Sequence, residues 1–280
     1  IFGGIDSTLA LLVVRDAFIK LNKNLEDIYA ITMPGFGTSD KTLQNAIKLT
    51  RSLGIPLNNI DIKPACIQHL KDIEHDLNDH SIVYENVQAR ERTQILMSIA
   101  NKYNGLVIGT GDLSEIALGW STYNADHMSM YSVNCSIPKT LIRFIIKWHA
   151  IESKNNLKKV LEDIIDTPVS PELIKNENKS EINQLTEEII GPYELHDFFL
   201  YHSIKYGASP DKILFLASKA FKNKYNKPTI KKWIKVYFKR FFNNQFKRSC
   251  IPDGPKVGTI SLSPRGDWRM PSDADSNRWT

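Results

Sequence analysis

Cysteine is scarce in this chain of 280 residues: Cys66, Cys135 and Cys250 stand too far apart for a disulfide framework or a zinc site, which fits a reducing cytoplasm. Long apolar runs are also missing. Leu9 to Val14 follows Asp6 with no basic flank, and nothing later approaches the roughly 20 residues of a membrane span, so a soluble protein with no membrane partner is expected. Charge imbalance is small. With 36 Lys+Arg against 31 Asp+Glu the net charge is +5, which suits small anionic ligands better than a nucleic-acid duplex. The seven histidines show no metal-ligand spacing, no nucleophile–histidine pair stands out, and there is no internal repeat. What remains is 42% hydrophobic, enough for the core of one large domain or two small ones.

The pattern along the chain alternates. Phe2-Gly3-Gly4-Ile5-Asp6 opens it with a glycine pair, after which Ser7 or Thr8 is placed to cap a helix with apolar residues at three- and four-residue spacing. Residues 28–33 read as a strand, 42–53 as a helix closed by Gly54, and 60–62 as a second strand. A helix from Asn86 to Tyr103 leads to the buried-strand run Leu106-Val107-Ile108. Strands and helices in alternation with short joints predict a parallel sheet covered on both faces. Residues 1–150 are therefore expected to form an α/β core, 151–180 a linker or surface loop, and 181–280 a helical extension with a loop-rich tail. Within the extension, Trp233, Tyr237 and Phe241 share one helical face among lysines and arginines, the pattern of a packing helix rather than of a nucleic-acid platform.

Two clusters carry candidate chemistry. Gly3 and Gly4 before a helix let backbone N–H groups approach phosphate oxygens, and Asp6 is placed to hold a metal bridging those oxygens; a plain tight turn is the alternative. Gly109-Thr110-Gly111-Asp112-Leu113-Ser114-Glu115 sets a threonine and two carboxylates just past a strand end, where open α/β sheets bind ligands. Those carboxylates suit Mg²⁺, while Asp112 or Ser114 also reads as a helix cap. Trp120-Ser121-Thr122-Tyr123 offers an aromatic platform with hydroxyls, or ordinary core. Arg90 and Arg92 are two apart on one helix and face different ways.

Taken together and in order, Asn86-Val87-Gln88-Ala89-Arg90-Glu91-Arg92, the 109–115 run, Gly119 to Tyr123, Ser136-Ile137-Pro138-Lys139-Thr140, Gly191 to Asp197, Gln245 to Cys250 and Ser263 to Arg269 resemble the synthetase domain of glutamine-dependent NAD synthetases, of the N-type ATP pyrophosphatase family. The resemblance implies an adenine-nucleotide α-hydrolase-like (Rossmann-like) fold and a ligase reaction: ATP adenylates the carboxylate of deamido-NAD, and ammonia displaces AMP to give NAD. It also implies site roles, with Gly3, Gly4, Asp6, Ser7, Thr110 and Lys139 on ATP, and Asp6 and Glu115 on magnesium. Asn86, Arg90, Glu115, Trp120, Ser121, Thr122, Tyr123 and Lys247 fall on the deamido-NAD side, and a homodimer or higher oligomer is implied.

Two departures accompany the likeness. Phe2 stands where the family has serine, removing a hydroxyl that would donate to phosphate, and the chain opens at Ile1 directly into the loop. The expectation is a piece without its first strand and without the family's amino-terminal glutaminase domain, which would have to use free ammonia. A folded, nucleotide-binding but catalytically silent module is the second reading, and an ATP pyrophosphatase acting on tRNA the third.

Overall fold

A computed structural model of the chain describes residue 1, residues 3–167 and residues 186–280. Phe2, the Pro168–Pro171 part of the proline-rich joint and the polar Lys175–Lys179 stretch lie outside the described residues. The elements run in the order α1 (Ile5–Lys20), β1 (Ala30–Thr32), α2 (Asp40–Leu53), β2 (Leu57–Asn59), α3 (Lys63–Asp72), α4 (Ile82–Tyr103), β3 (Ile108–Gly109), α5 (Leu113–Leu118) and β4 (Tyr131–Ser132). Then follow α6 (Lys139–Glu152), α7 (Asn155–Ile165), α8 (Thr186–Ile190), α9 (Tyr193–Tyr206), α10 (Pro210–Ala220), α11 (Lys227–Asn243) and α12 (Gln245–Arg248). Among the described residues no helix is long and apolar enough to cross a membrane.

Both strand pairs are parallel. Ala30 faces Leu57 and Thr32 faces Asn59 in one, and Ile108 faces Tyr131 in the other. The amine of Ile1 donates to Ile31 O, so the glycine loop enters alongside β1. The second strand falls slightly earlier than the sequence suggests: 57–59 pair, Ile60 N still donates to Thr32 O, and Ile62 already caps α3.

Two sequence expectations are corrected. Helix α1 starts at Ile5 with Gly4 as its N-cap, so Ser7 and Thr8 sit inside its first turn. Their hydroxyls return to Gly4 O at 3.2 and 2.8 Å instead of capping from outside. The stretch expected as linker contains α7, because Val160, Leu161 and Ile164 recur at helical spacing and are buried beside α1, α2 and α6.

Three apolar clusters hold the molecule. One joins α1, α2, β1, α6 and α7; a second packs β1 against α3 and α4. The third and largest sets α5 against α9, α10 and α11, with Trp233, Ile234, Tyr237, Phe238 and Phe241 of α11 all buried in it. The basic aromatic segment is therefore a packing helix with its lysines outward. Burying five such side chains is worth roughly 10 kcal/mol of transfer free energy before entropy.

Candidate functional site

The glycine pair divides its labour. Gly3 has φ +71°, and a Cβ there would meet Thr42 O at 2.4 Å, so only glycine fits. Gly4 faces open space: a Cβ on it would meet nothing within 4 Å, which leaves this backbone free to approach a ligand. Because Gly4 caps the 16-residue α1, the positive end of that helix opens there, an arrangement that favours anions. From the first turn of α1, Asp6 points at the start of α5 and α6.

There the carboxylates converge on one ammonium. Lys139 Nζ lies 2.7 Å from Asp6 Oδ2, 2.8 Å from Asp112 Oδ2 and 2.8 Å from Glu115 Oε1. The Lys139 side chain is 4% exposed and Asp112 fully buried. Asp112 also caps α5: its Oδ1 accepts from Glu115 N at 2.8 Å, and Glu115 returns a bond to Asp112 N, completing a capping box. Asp112 is thus both the cap of α5 and a member of the carboxylate cluster.

The electrostatics follow from burial. Desolvation is the largest influence on Asp112 and holds its carboxyl well above the usual range; Lys139 opposes this, and Glu115 and Asp6 add to it. Glu115 is pushed up to about 7, again first by burial, against the pull of Lys139 and with the repulsion of Asp6. For Lys139, burial is the largest single influence and acts downward, but Asp112, Asp6 and Glu115 together outweigh it and hold the ammonium well above an ordinary lysine. When all three acids are ionised, one ammonium leaves the cluster two charges negative. Asp6 Oδ1 is buried with no hydrogen-bond partner among the described residues. An oxygen-only donor set with surplus negative charge and an unmet acceptor fits a hard divalent cation such as Mg²⁺.

Asn134, absent from the sequence reading, ties this centre together. It is fully buried, and its amide donates to Asp6 O at 2.9 Å and to Thr110 O at 3.1 Å, fastening the start of α1 to the end of β3. Asp197 of α9 does the same for α5 and α6. It accepts from Ser114 Oγ, from Thr140 N at 3.0 Å and from Thr140 Oγ1 at 2.7 Å, while Ser114 Oγ accepts from Lys139 N at 2.8 Å.

The second group of expected residues gathers at the other end of α5. Thr122 Oγ1 donates to Asn86 Oδ1 at 2.8 Å, and Arg90 Nε reaches Tyr123 O at 3.4 Å. Arg92 turns the other way, with Nε donating to Met33 O at 3.1 Å. Lys247 Nζ donates to Gly119 O at 2.9 Å and Ser121 O at 2.6 Å, so its ammonium positions the 119–123 loop. Trp120 packs on the largest core with the Arg240 guanidinium over its ring at 5.1 Å, while Tyr123 is exposed beside Phe246 and His127. A small cavity bounded by Gly111, Glu115, Ser121, His127, Ser132 and Ile251 joins this loop to the carboxylate cluster.

This geometry recurs in known proteins as a fold. A structure of a glutamine-dependent NAD(+) synthetase from Cytophaga hutchinsonii superposes with TM-score 0.77 at 20% identity, covering 99% of this chain and 50% of that one. The NH3-dependent NAD synthetase from Campylobacter jejuni gives 0.56 at 21% identity, covering 88% of this chain and 82% of that one. In sequence, the chain is 42% identical to the glutamine-dependent NAD(+) synthetase of Mycobacterium tuberculosis strain H37Rv and 40% identical to that of Mycobacterium leprae, each match covering 99% of this chain and 44% of the relative. The chain thus spans less than half the length of the curated relatives it matches. Residues 1–248 match the family model described as NAD synthase, and the chain belongs to that family.

Proposed function

We propose that this chain carries out the ATP-dependent amidation of deamido-NAD: a carboxylate oxygen attacks the α-phosphorus of ATP and releases pyrophosphate, and ammonia then displaces AMP from the acyl carbon to give NAD. The observation that carries this reading is the meeting of Asp6, Glu115 and Lys139 at one point, with the open Gly4 turn at the start of the helix that bears Asp6, and with Thr110 tied to Asp6 through Asn134, in a chain of the NAD synthase family. A carboxylate is a poor acyl donor until one oxygen leaves as part of AMP, so activation must come first.

The roles divide along α5. At its start, the backbone at Gly3 and Gly4 receives the phosphates at the positive end of α1, with Ser7 and Thr110 beside them. Mg²⁺ held by Asp6 and Glu115, with Asp112 as a further oxygen donor, would neutralise charge building on the pyrophosphate. At the far end, Asn86, Arg90 and the Trp120–Tyr123 loop hold deamido-NAD, and Lys247 positions that loop through its carbonyls. The reacting carboxylate lies beside Glu115, at the small cavity between the two ends.

Incubation with deamido-NAD, ATP, MgCl2 and ammonium chloride, followed by chromatography, tests the reading. NAD, AMP and pyrophosphate should appear in equal amounts. Binding of both substrates with none of the three products would refute catalysis by this chain and favour the silent module.

A further inference from the structure

Lys139 stands where a cation belongs. Its Nζ is within 2.8 Å of one oxygen from each of Asp6, Asp112 and Glu115, and metal-ligating oxygens of these three residues lie within 4.8 Å of one another. A divalent ion held by those oxygens would take the place the ammonium now fills. Two positive charges cannot share that point.

The ammonium is held there against two opposing influences. Burial disfavours its charge, and Lys139 is the first residue of α6, where the helix start carries partial positive charge and disfavours a cation. The three carboxylates are the main groups that retain it, with the Tyr193 ring 5.3 Å from its Nζ. Once a divalent cation neutralises them, both influences drive the ammonium outward, and Asp6 links the cluster to the open Gly4 turn. An arriving polyphosphate offers the displaced ammonium new acceptors.

We propose that Lys139 is a resident counter-ion that must be displaced when the metal binds, so that divalent cation and polyphosphate enter the site together and the cation alone binds poorly. This rests on the reading of the cluster as a metal–nucleotide site. Lys139 thereby couples the two ligands: the phosphates stabilise the displaced ammonium, and the displaced ammonium opens the cation position. The coupling is reciprocal, each ligand raising the affinity of the other by the same factor.

The test is Mn²⁺ binding by the whole chain, read as loss of the free-ion electron paramagnetic resonance signal, with and without a non-hydrolysable ATP analogue, the Mn²⁺ bound by the analogue alone being measured without protein and subtracted. For the wild type, affinity should rise at least about tenfold with the analogue. Lys139→Met and Lys139→Gln should each bind Mn²⁺ at least about tenfold more tightly than the wild type when no nucleotide is present, and should lose most of the gain from the analogue. Circular dichroism checks that each variant is folded, and glutamine retains hydrogen-bond donors should methionine fail. Equal Mn²⁺ affinity of wild type with and without the analogue overturns the proposal, as does unchanged or weaker binding by the folded variants. A wild type that binds neither Mn²⁺ nor Mn²⁺ with the analogue refutes the metal–nucleotide reading itself.

Discussion

Asn134 is the side chain whose replacement probes the site most directly. Its one amide nitrogen supplies both protons to buried carbonyls, those of Asp6 and Thr110, at 2.9 and 3.1 Å. Asn134→Ala removes both bonds and leaves Thr110 O unmet, while Asp6 O keeps its bond within α1, so a loss of about 2–3 kcal/mol is expected. For a domain of this size that lowers the melting temperature by about 5–12 °C. Asn134→Asp has the same shape but sets a carboxylate oxygen against both carbonyls. It can persist only protonated, and one proton serves only one carbonyl, so its folded pKa lies above the unfolded value of about 3.9. The folded aspartic acid then binds more protons than the unfolded chain, and stability falls as pH rises from about 4 through the folded pKa. Thermal melts of wild type, Asn134→Ala and Asn134→Asp from pH 4.5 to 8 check this. The Asp variant should be closest to the Ala variant at low pH and fall below it as pH rises. A deficit for Asn134→Asp that does not depend on pH, or an Asp variant as stable as wild type, would refute the proposed bridge.

Gly3→Ala should destabilise the fold by about 2 kcal/mol or more, from positive φ plus the clash with Thr42 O, whereas Gly4→Ala should melt near wild type and instead raise the KM for ATP; equal melting losses for the two would contradict the division between them. His196 is buried, donates from Nε2 to Ile190 O at 2.6 Å, and has its pKa lowered to about 4, first by burial. Because the unfolded ring takes its proton near 6.5, this group's contribution is complete above that pH and is lost toward pH 4, by about 3 kcal/mol at most. Its ring resonance should show no titration between pH 7 and 5. Asp6→Asn should lower kcat at least about 100-fold with the fold retained, measured as NAD formation at saturating MgCl2. Lys247→Met should raise the KM for deamido-NAD and leave that for ATP unchanged, and equal changes in both would show that Lys247 does not act through the 119–123 loop alone.

Residue type and spacing carried much of this. The alternation of strand and helix implied the parallel pairs, since a crossover through a helix is the connection that parallel strands require. The aromatic face of α11 was legible because Trp233, Tyr237 and Phe241 recur every four residues. The two glycines could not be told apart in sequence, because what separates them is the approach of α2, whose Thr42 lies far along the chain from Gly3. Asn134 gave no local signal: it is one asparagine in a turn, and its partners are 128 and 24 residues away. The resemblance offered Lys139 as a phosphate contact, whereas its engagement with three carboxylates depends on α1, α5 and α6 meeting at one point.

The short α5 explains why the helical extension bears on the chemistry. Six residues cannot hold a helix by backbone bonds alone, so both ends need outside partners. The first end has the Asp112–Glu115 box and Lys139. At the last, Arg248 donates to Ala117 O at 2.9 Å and to Ile116 O, Arg240 to Leu118 O at 3.0 Å, Asn244 to the same oxygen, and Lys247 to Gly119 O. Gly119 is at φ +59° with the Asn244 side chain where a Cβ would stand, so the turn and its cap exclude any other residue there. Every carbonyl from 116 to 119 is thus met by a side chain of α11 or α12. Because Glu115 and the 119–123 loop sit at opposite ends of this one short helix, whatever fixes its last turn also fixes the distance from the carboxylate cluster to the loop. The extension therefore sets the spacing between the carboxylate cluster and the 119–123 loop, the two ends of the proposed site.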